Sequence, residues 1–177
     1  KYINSPEGVL YDKSNSLYGL FQAKNAIRHA DMCYLTEGYM DVVAMHQAGI
    51  ENCVASSGTS LTDGQIRMVG RFTKNITLLY DGDAAGIRAS LRGIDLILAA
   101  GLNVRALVLP EGHDPDSYAK ANGSEALQRY LQENTRDLIS FKAELAAEEA
   151  AADPIKKAEL LESIIESISQ VADVVKR

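Results

Sequence analysis

The sequence predicts an α/β fold: a mostly parallel sheet flanked by helices and followed by a small C-terminal helical bundle. Three observations carry this prediction. Short β-rich apolar runs, each closed by Gly, Ser, Asp or Pro, recur through the middle of the chain. Segments with helical spacing separate them, which calls for crossover connections and therefore for parallel neighbours covered on both faces. From Ser124 onward the strand signal stops and apolar residues recur every three or four positions.

Taken in order, the elements are these. Tyr2-Ile3-Asn4-Ser5-Pro6 and Asp12-Lys13-Ser14-Asn15-Ser16 are turn-like, and residues 17–27 have helical spacing. Strands are expected at residues 32–35, 53–55, 76–80 and 104–109. A helix carrying Met40, Val43, Ala44 and Met45 fills the first gap and stops near Gly49. A second carries Ile66, Met68, Val69 and Phe72, and a third carries Ile87, Leu91, Ile94 and Leu98 before Gly101, the glycines suiting C-terminal caps. In the tail, Leu127, Tyr130 and Leu131 mark one helix, Leu138, Ile139, Phe141 and Leu145 another, and the stripe from Ile155 to Val175 a third. Residues 1–30 are thus read as the end of a preceding subdomain, 31–122 as the domain holding the site, and 123–177 as a helical subdomain. The chain starts without Met and in mid-pattern, as a fragment would.

Composition narrows the class. With 177 residues, 46% hydrophobic and 24% charged, the chain does not fit disorder, collagen-like repeats or coiled-coil arrays. No window has the roughly 20 apolar residues of a membrane span, and no signal peptide leads the chain, so a cytoplasmic protein without a membrane partner is expected. Cys33 and Cys53 lie in apolar segments without metal spacing and read as buried, reduced thiols. The net charge of −6 is uneven: residues 1–110 hold ten Lys/Arg and ten Asp/Glu, and residues 111–177 hold eight and fourteen. If Glu37, Asp81 and Asp83 bind metal, ten cations face seven acids in residues 1–110, giving a basic surface around an acidic pocket.

Acidic residues follow the strands. Glu37 follows the first, Asp81 and Asp83 the third, and Asp114 and Asp116 lie after the fourth, all at the C-terminal end of the sheet where α/β folds bind ligands. In Asp81-Gly82-Asp83 two carboxylates at i and i+2 point the same way in an extended segment. Clustered carboxylates repel unless one is protonated or a cation sits among them, and oxygen donors of this kind suit Mg²⁺ or Mn²⁺. Each group also has a plain structural use: Asp83 makes a good helix cap, Asp81-Gly82 is a common turn, and Asp114-Pro115-Asp116 suits the start of a helix. Their joint placement behind successive strands favours the metal reading. Asp41 is compatible with a hydrogen-bond acceptor, a partner for a basic group, or a first-turn acid stabilised by the helix dipole. Ser56-Ser57-Gly58-Thr59-Ser60 is placed to offer backbone N–H groups to a phosphate. His29, His46 and His113 share no metal spacing, and P-loop and dinucleotide-binding fingerprints do not occur.

Four segments in order, Glu37-Gly38-Tyr39-Met40-Asp41-Val42-Val43-Ala44, Val54-Ala55-Ser56-Ser57-Gly58-Thr59-Ser60, Tyr80-Asp81-Gly82-Asp83-Ala84-Ala85-Gly86 and Leu109-Pro110-Glu111-Gly112-His113-Asp114-Pro115-Asp116, resemble the Toprim motifs of bacterial DnaG-type primases. Lys1-Tyr2-Ile3-Asn4-Ser5-Pro6 and Leu17-Tyr18-Gly19-Leu20 resemble the segment just before that domain. The resemblance implies a Toprim-type sheet at 31–122 and catalytic, metal-binding roles for Glu37, Asp81 and Asp83, with Asp114 and Asp116 in the same metal site. It also implies template or nucleotide contacts by Lys1, Asn4, Lys13 and Asp41. Type II topoisomerases share the fold but carry a third Asp where this chain has Ala85, which favours the primase branch. The implied activity is a two-metal nucleotidyl transfer that makes short RNA primers, with single-stranded DNA and ribonucleoside triphosphates as partners and Mg²⁺ or Mn²⁺ as cofactor. Zinc would belong only to an N-terminal module absent from this sequence, and the replicative helicase would be met through an absent C-terminal module. The residues themselves leave two alternatives: a nuclease or phosphohydrolase using the same metals on water, and a non-catalytic nucleotide-binding module.

Overall fold

In the computed structural model the described residues are 8, 11–56, 60–81, 93–150, 162, 164–166 and 169, with the backbone alone at 145–150. A 3-10 turn at Lys13–Asn15 leads to α1 (Leu20–Ala30), β1 (Cys33–Thr36), α2 (Tyr39–Gln47), β2 (Cys53–Ala55), α3 (Asp63–Val69) and β3 (Asn75–Tyr80). There follow α4 (residues 93–99), β4 (Asn103–Val108), α5 (Pro115–Asn122), α6 (Ser124–Asn134), β5 (Arg136–Asp137) and α7 (Leu138–Ala150). The sheet order is β2-β1-β3-β4-β5, with β2, β1, β3 and β4 parallel and β5 antiparallel to β4. The expected α/β architecture is therefore present.

Strand alternation divides the core in two. Cys33, Leu35, Val54, Ile76, Leu78, Tyr80, Val104 and Ala106 pack with Ala23 and Ile27 of α1, Ile66 and Val69 of α3, Ile94 and Ile97 of α4, and Phe141 of α7. The alternate positions Cys53, Ala55, Leu79 and Leu107 pack with Val42 and Met45 of α2 and Leu127 and Leu131 of α6. Handedness explains the split. The connection from β1 to β2 runs outward on one side of β1, while those from β2 to β3 and from β3 to β4 run the other way, so right-handed crossovers place α2 on one face and α3 and α4 on the other. The connectors part between β1 and β3, which is where open α/β sheets form a crevice beyond the strand C-termini.

Some boundaries differ from the sequence reading. Leu17 and Tyr18 are not helical: Tyr18 donates its N–H to the Ala55 carbonyl at 2.9 Å and accepts from Ala55 N–H at 3.1 Å, adding an antiparallel bridge outside β2. Gly19, at φ +81°, makes the turn into α1. β5 interrupts the stretch expected to be helices alone, because a polar two-residue strand has no hydrophobic period to betray it. Most of the third tail helix, the first half of the helix before Gly101, Asp83, Lys1, Asn4 and residues 57–59 lie outside the described residues. Cys33 and Cys53 are free and buried, and burial pushes both thiol pKa values up, which keeps them protonated.

Gln65 fixes the N-terminal segment to the sheet. It is fully buried, and with Thr62 it forms a reciprocal cap at the start of α3: Gln65 N–H donates to Thr62 Oγ1, and Thr62 N–H donates to Gln65 Oε1. Its Nε2 group donates to the carbonyls of Lys13 (3.0 Å), Ser16 (3.0 Å) and Ser56 (3.3 Å). Thr62 Oγ1 donates to Ser14 O at 2.6 Å, and a Cβ on Gly64 would collide with Asn15, so the 3-10 turn lies directly on α3. Replacing Gln65 by Leu leaves these carbonyls short of a donor, and we expect a loss of about 2–3 kcal/mol. Thermal melts should show a fall of about 5–10 °C, and hydrogen exchange should show faster loss of protection at Tyr18 than in β3.

Candidate active site

Glu37, Ser56, Asp81 and Leu109 are the first residues past the four parallel strands. The β1–β3 register pairs Leu35 with Leu78, so Glu37 continues level with Tyr80, and Asp81 stands one step further along β3. Both acids thus lie just past the ladder, at the C-terminal end of the sheet. The Glu37 charge acts on the Tyr80 hydroxyl, whose pKa burial and that charge push up. Asp81 instead belongs to the neighbourhood of Asp41 and Asp114 on the α2 side.

Asp41 is the centre of that neighbourhood. It lies in the first turn of α2, is only 6% exposed, and accepts the Gly38 N–H at 2.9 Å. The backbone N–H of Asp116 also donates to it, joining α2 to the start of α5. Burial is the main reason its pKa rises to about 7, and the Asp114 and Asp81 charges add to the rise while the two N–H donors oppose it. Gly38 is required by space rather than by backbone angle: a Cβ there would lie 2.7 Å from Asp41 Oδ2. Among the described residues Asp41 therefore faces carboxylates and backbone donors and no basic partner. Its burial is the signal that sequence spacing alone does not carry.

Asp114 caps α5, accepting Ser117 N–H at 2.6 Å, while Ser117 Oγ accepts Asp114 N–H at 2.9 Å. Pro115 follows at the first helical position, where its missing N–H costs nothing. Asp116 pairs with Lys120 at 2.6 Å, a surface i,i+4 contact that leaves its backbone N–H for Asp41. Asp114 thus serves as a cap and as a source of negative field at once. The Lys13 carbonyl is held by Gln65 beside Ser56, the first residue after β2. At the lip, Tyr39 meets Tyr18 edge to face, the ring centroids 4.6 Å apart. Among the described residues, no three Asp, Glu, His or Cys side chains stand close enough to hold a metal ion. Asp83, expected to complete the set with Asp81, lies outside them. The opposite end of the sheet is structural: Asp31 accepts from Thr73 Oγ1 (2.9 Å) and Asn75 Nδ2 (3.2 Å), and Asn103 donates to Asn75.

Comparison with known proteins places this geometry. A Toprim-like family model matches residues 34–119, the segment from β1 to α5. The DNA primase of Clostridium acetobutylicum is 38% identical over 174 residues, 98% of this chain and 28% of that protein. The DNA primase of Aquifex aeolicus is 44% identical over 131 residues, 74% of this chain and 26% of that protein. The chain therefore spans little more than a quarter of these relatives. Among solved structures, a DnaG primase catalytic domain bound to single-stranded DNA superposes with a TM-score of 0.80 at 35% identity, covering 97% of this chain and 56% of that one. None of this chain's described helices is long and apolar enough to cross a membrane. Sequence identity over nearly the whole chain and a shared sheet lead to one assignment: the chain belongs to the bacterial DnaG-type DNA primases, as a segment of their Toprim-bearing catalytic core.

Proposed function

We propose that this chain is the metal-binding part of a primase that joins ribonucleotides into short RNA primers on single-stranded DNA. The observation that carries the reading is the shared field of Asp41, Asp81 and Asp114 at the strand ends, in a chain related to DNA primases over nearly its full length. The donor set fits a hard divalent cation, Mg²⁺ or Mn²⁺: it is all oxygen, and the charges of Asp114 and Asp81 raise the proton affinity of the buried Asp41. Such cations, when held by these residues, would supply activation of a primer 3′-hydroxyl and stabilisation of the leaving pyrophosphate.

In this reading Glu37, Asp81 and Asp83 are the metal ligands, and Asp114 and Asp116 extend the acidic site along the loop after β4. Asp41 acts as a positioning residue, holding Gly38 and Asp116 so that the loops bearing Glu37 and Asp114 keep one spacing. Lys1, Asn4 and Lys13 contact template or nucleotide from the N-terminal side. The same carboxylates would serve a nuclease, so the deciding experiment is product identity. In a primase carrying this segment, labelled ribonucleotides supplied with single-stranded DNA and Mg²⁺ should appear in oligomers, and release of cleaved nucleotide alone would reject the reading.

Charge removal tests the carboxylates directly. Asp81→Asn and Asp83→Asn each keep size and acceptor oxygens but remove charge, so primer yield should fall at least about 100-fold, and calorimetry on the chain should show weakened Mg²⁺ binding. Melting temperature in EDTA should hold or rise as repulsion is relieved. Near-normal primer yield from both variants would defeat the assignment.

Stability should also depend on pH through Asp41. Its folded pKa is about 7 against an unfolded value of about 3.9, so the folded state favours the protonated form. That contribution is fully present below about pH 4 and is lost as pH rises through 7. In EDTA, unaltered chain should lose stability between pH 5 and pH 8, while Asp41→Asn stays flatter and exceeds it at pH 8 by roughly 2–4 kcal/mol. Overlapping melting curves for the two across that range would contradict the buried, mutually repelled carboxylate.

A further inference from the structure

The basic residues of α1 and α3 take no part in the site just described. On α1, Phe21, Lys24 and Arg28 recur at three- and four-residue spacing and so share one flank, beside the stripe of Ala23 and Ile27 that faces the core. Lys24 Nζ lies 4.1 Å from the Phe21 ring centroid, and the Arg28 guanidinium lies 4.9 Å from that of Phe72, three residues past the end of α3. That contact turns the flank of α1 toward the end of α3, where Arg67 and Arg71, four residues apart, are both exposed. Among the described residues none of these four cations is in an ion pair, the pairs there being those of Lys120, Arg136 and Lys142. The neighbouring acid Asp31 is engaged by Thr73 and Asn75.

Phe21 is 76% exposed, the most open of the large apolar side chains described. A lone exposed Phe needs no explanation, but one set beside cations without ion pairs among the described residues has the makings of a single-strand site. Aromatic faces take unpaired bases by stacking, and neighbouring Lys and Arg hold the phosphates between them, with little dependence on sequence. An acidic protein would use the cations but would gain nothing specific from the ring. The face covers the α1–α3 side of the sheet, with Arg28 and Arg71 toward the end that carries Asp31 and Thr73, away from the carboxylate site.

We propose that the α1–α3 face is a contact surface for single-stranded DNA outside the carboxylate site, with Phe21 stacking on a base and Lys24, Arg28, Arg67 and Arg71 holding phosphates. The proposal takes its partner from the reading of this chain as part of a primase, but it depends on none of the carboxylates. It is tested by anisotropy of a labelled oligothymidylate with the chain in EDTA, which removes cation-dependent binding at the acids. Phe21→Ala should weaken binding about fivefold or more. Arg67→Ala with Arg71→Ala should reduce the slope of log affinity against log salt by about 1.4, near 0.7 for each phosphate no longer neutralised. All three side chains are exposed, and circular dichroism melts should confirm that the variants fold. No binding by the unaltered chain, or unchanged affinity and slope in the variants, overturns the proposal. So does displacement by polyglutamate as effective as by oligothymidylate with Phe21→Ala neutral, which marks a general anion surface. Near-normal primer yield from Asp81→Asn and Asp83→Asn with this binding intact would reject the metal reading and leave the DNA surface standing.

Discussion

A buried carboxylate joins the parts of this molecule that lie far apart in sequence. Asp41 is set in the first turn of α2, yet it accepts from the loop after β1 and from the first turn of α5, far along the chain. Burying a carboxylate is costly unless hydrogen bonds or opposite charge compensate it. Here two backbone N–H groups compensate in part, while two further acids work against them. The balance leaves the group near its protonation midpoint at neutral pH, so the end of the sheet responds to any positive charge brought to it. Gly38 belongs to the same arrangement, because the space a side chain would occupy is filled by the Asp41 carboxylate.

The sheet decides which acids meet. Strand order reverses between the β1–β2 and β2–β3 connections, so the helices leave on opposite faces and the crevice opens between β1 and β3. Glu37 and Asp81 follow these two strands directly, and the register sets how far each stands along the sheet. A slip of one residue between β1 and β3 would shift the two acids against each other and also turn the buried residues of the slipped strand to the wrong face. The burial that fixes the register, with Cys33, Leu35, Ile76 and Leu78 on one face and Leu79 on the other, therefore also fixes the positions of the acids.

Much of this is readable in the residues. The parallel strands are short apolar runs closed by turn formers, and their limits fall within a residue of expectation at β1, β2, β3 and β4. The acids after those strands can be placed at one end because parallel strands share a direction. Side-chain burial is not readable: Asp41 has the same spacing whether it is a surface acid of the first turn or a buried acceptor. Gln65 gives no signal because a polar residue in a helix ordinarily faces water, and only the approach of the distant segment around Lys13 makes it a buried donor. β5 and the bridge at Tyr18 escape for another reason, since single pairings of one or two residues leave no periodic trace.

Those two small pairings have a consequence for the molecule's behaviour in a crowded solution. A parallel sheet of strongly apolar strands would present two raw margins, each a template on which another chain could add. One margin is occupied by Tyr18 against Ala55 and the other by Arg136 and Asp137 against Ala106 and Arg105, polar residues that do not invite further strands. The segment before α1 and the junction between α6 and α7 thus act as selvedges, and shortening the chain from either direction past them would trade a finished border for a sticky one.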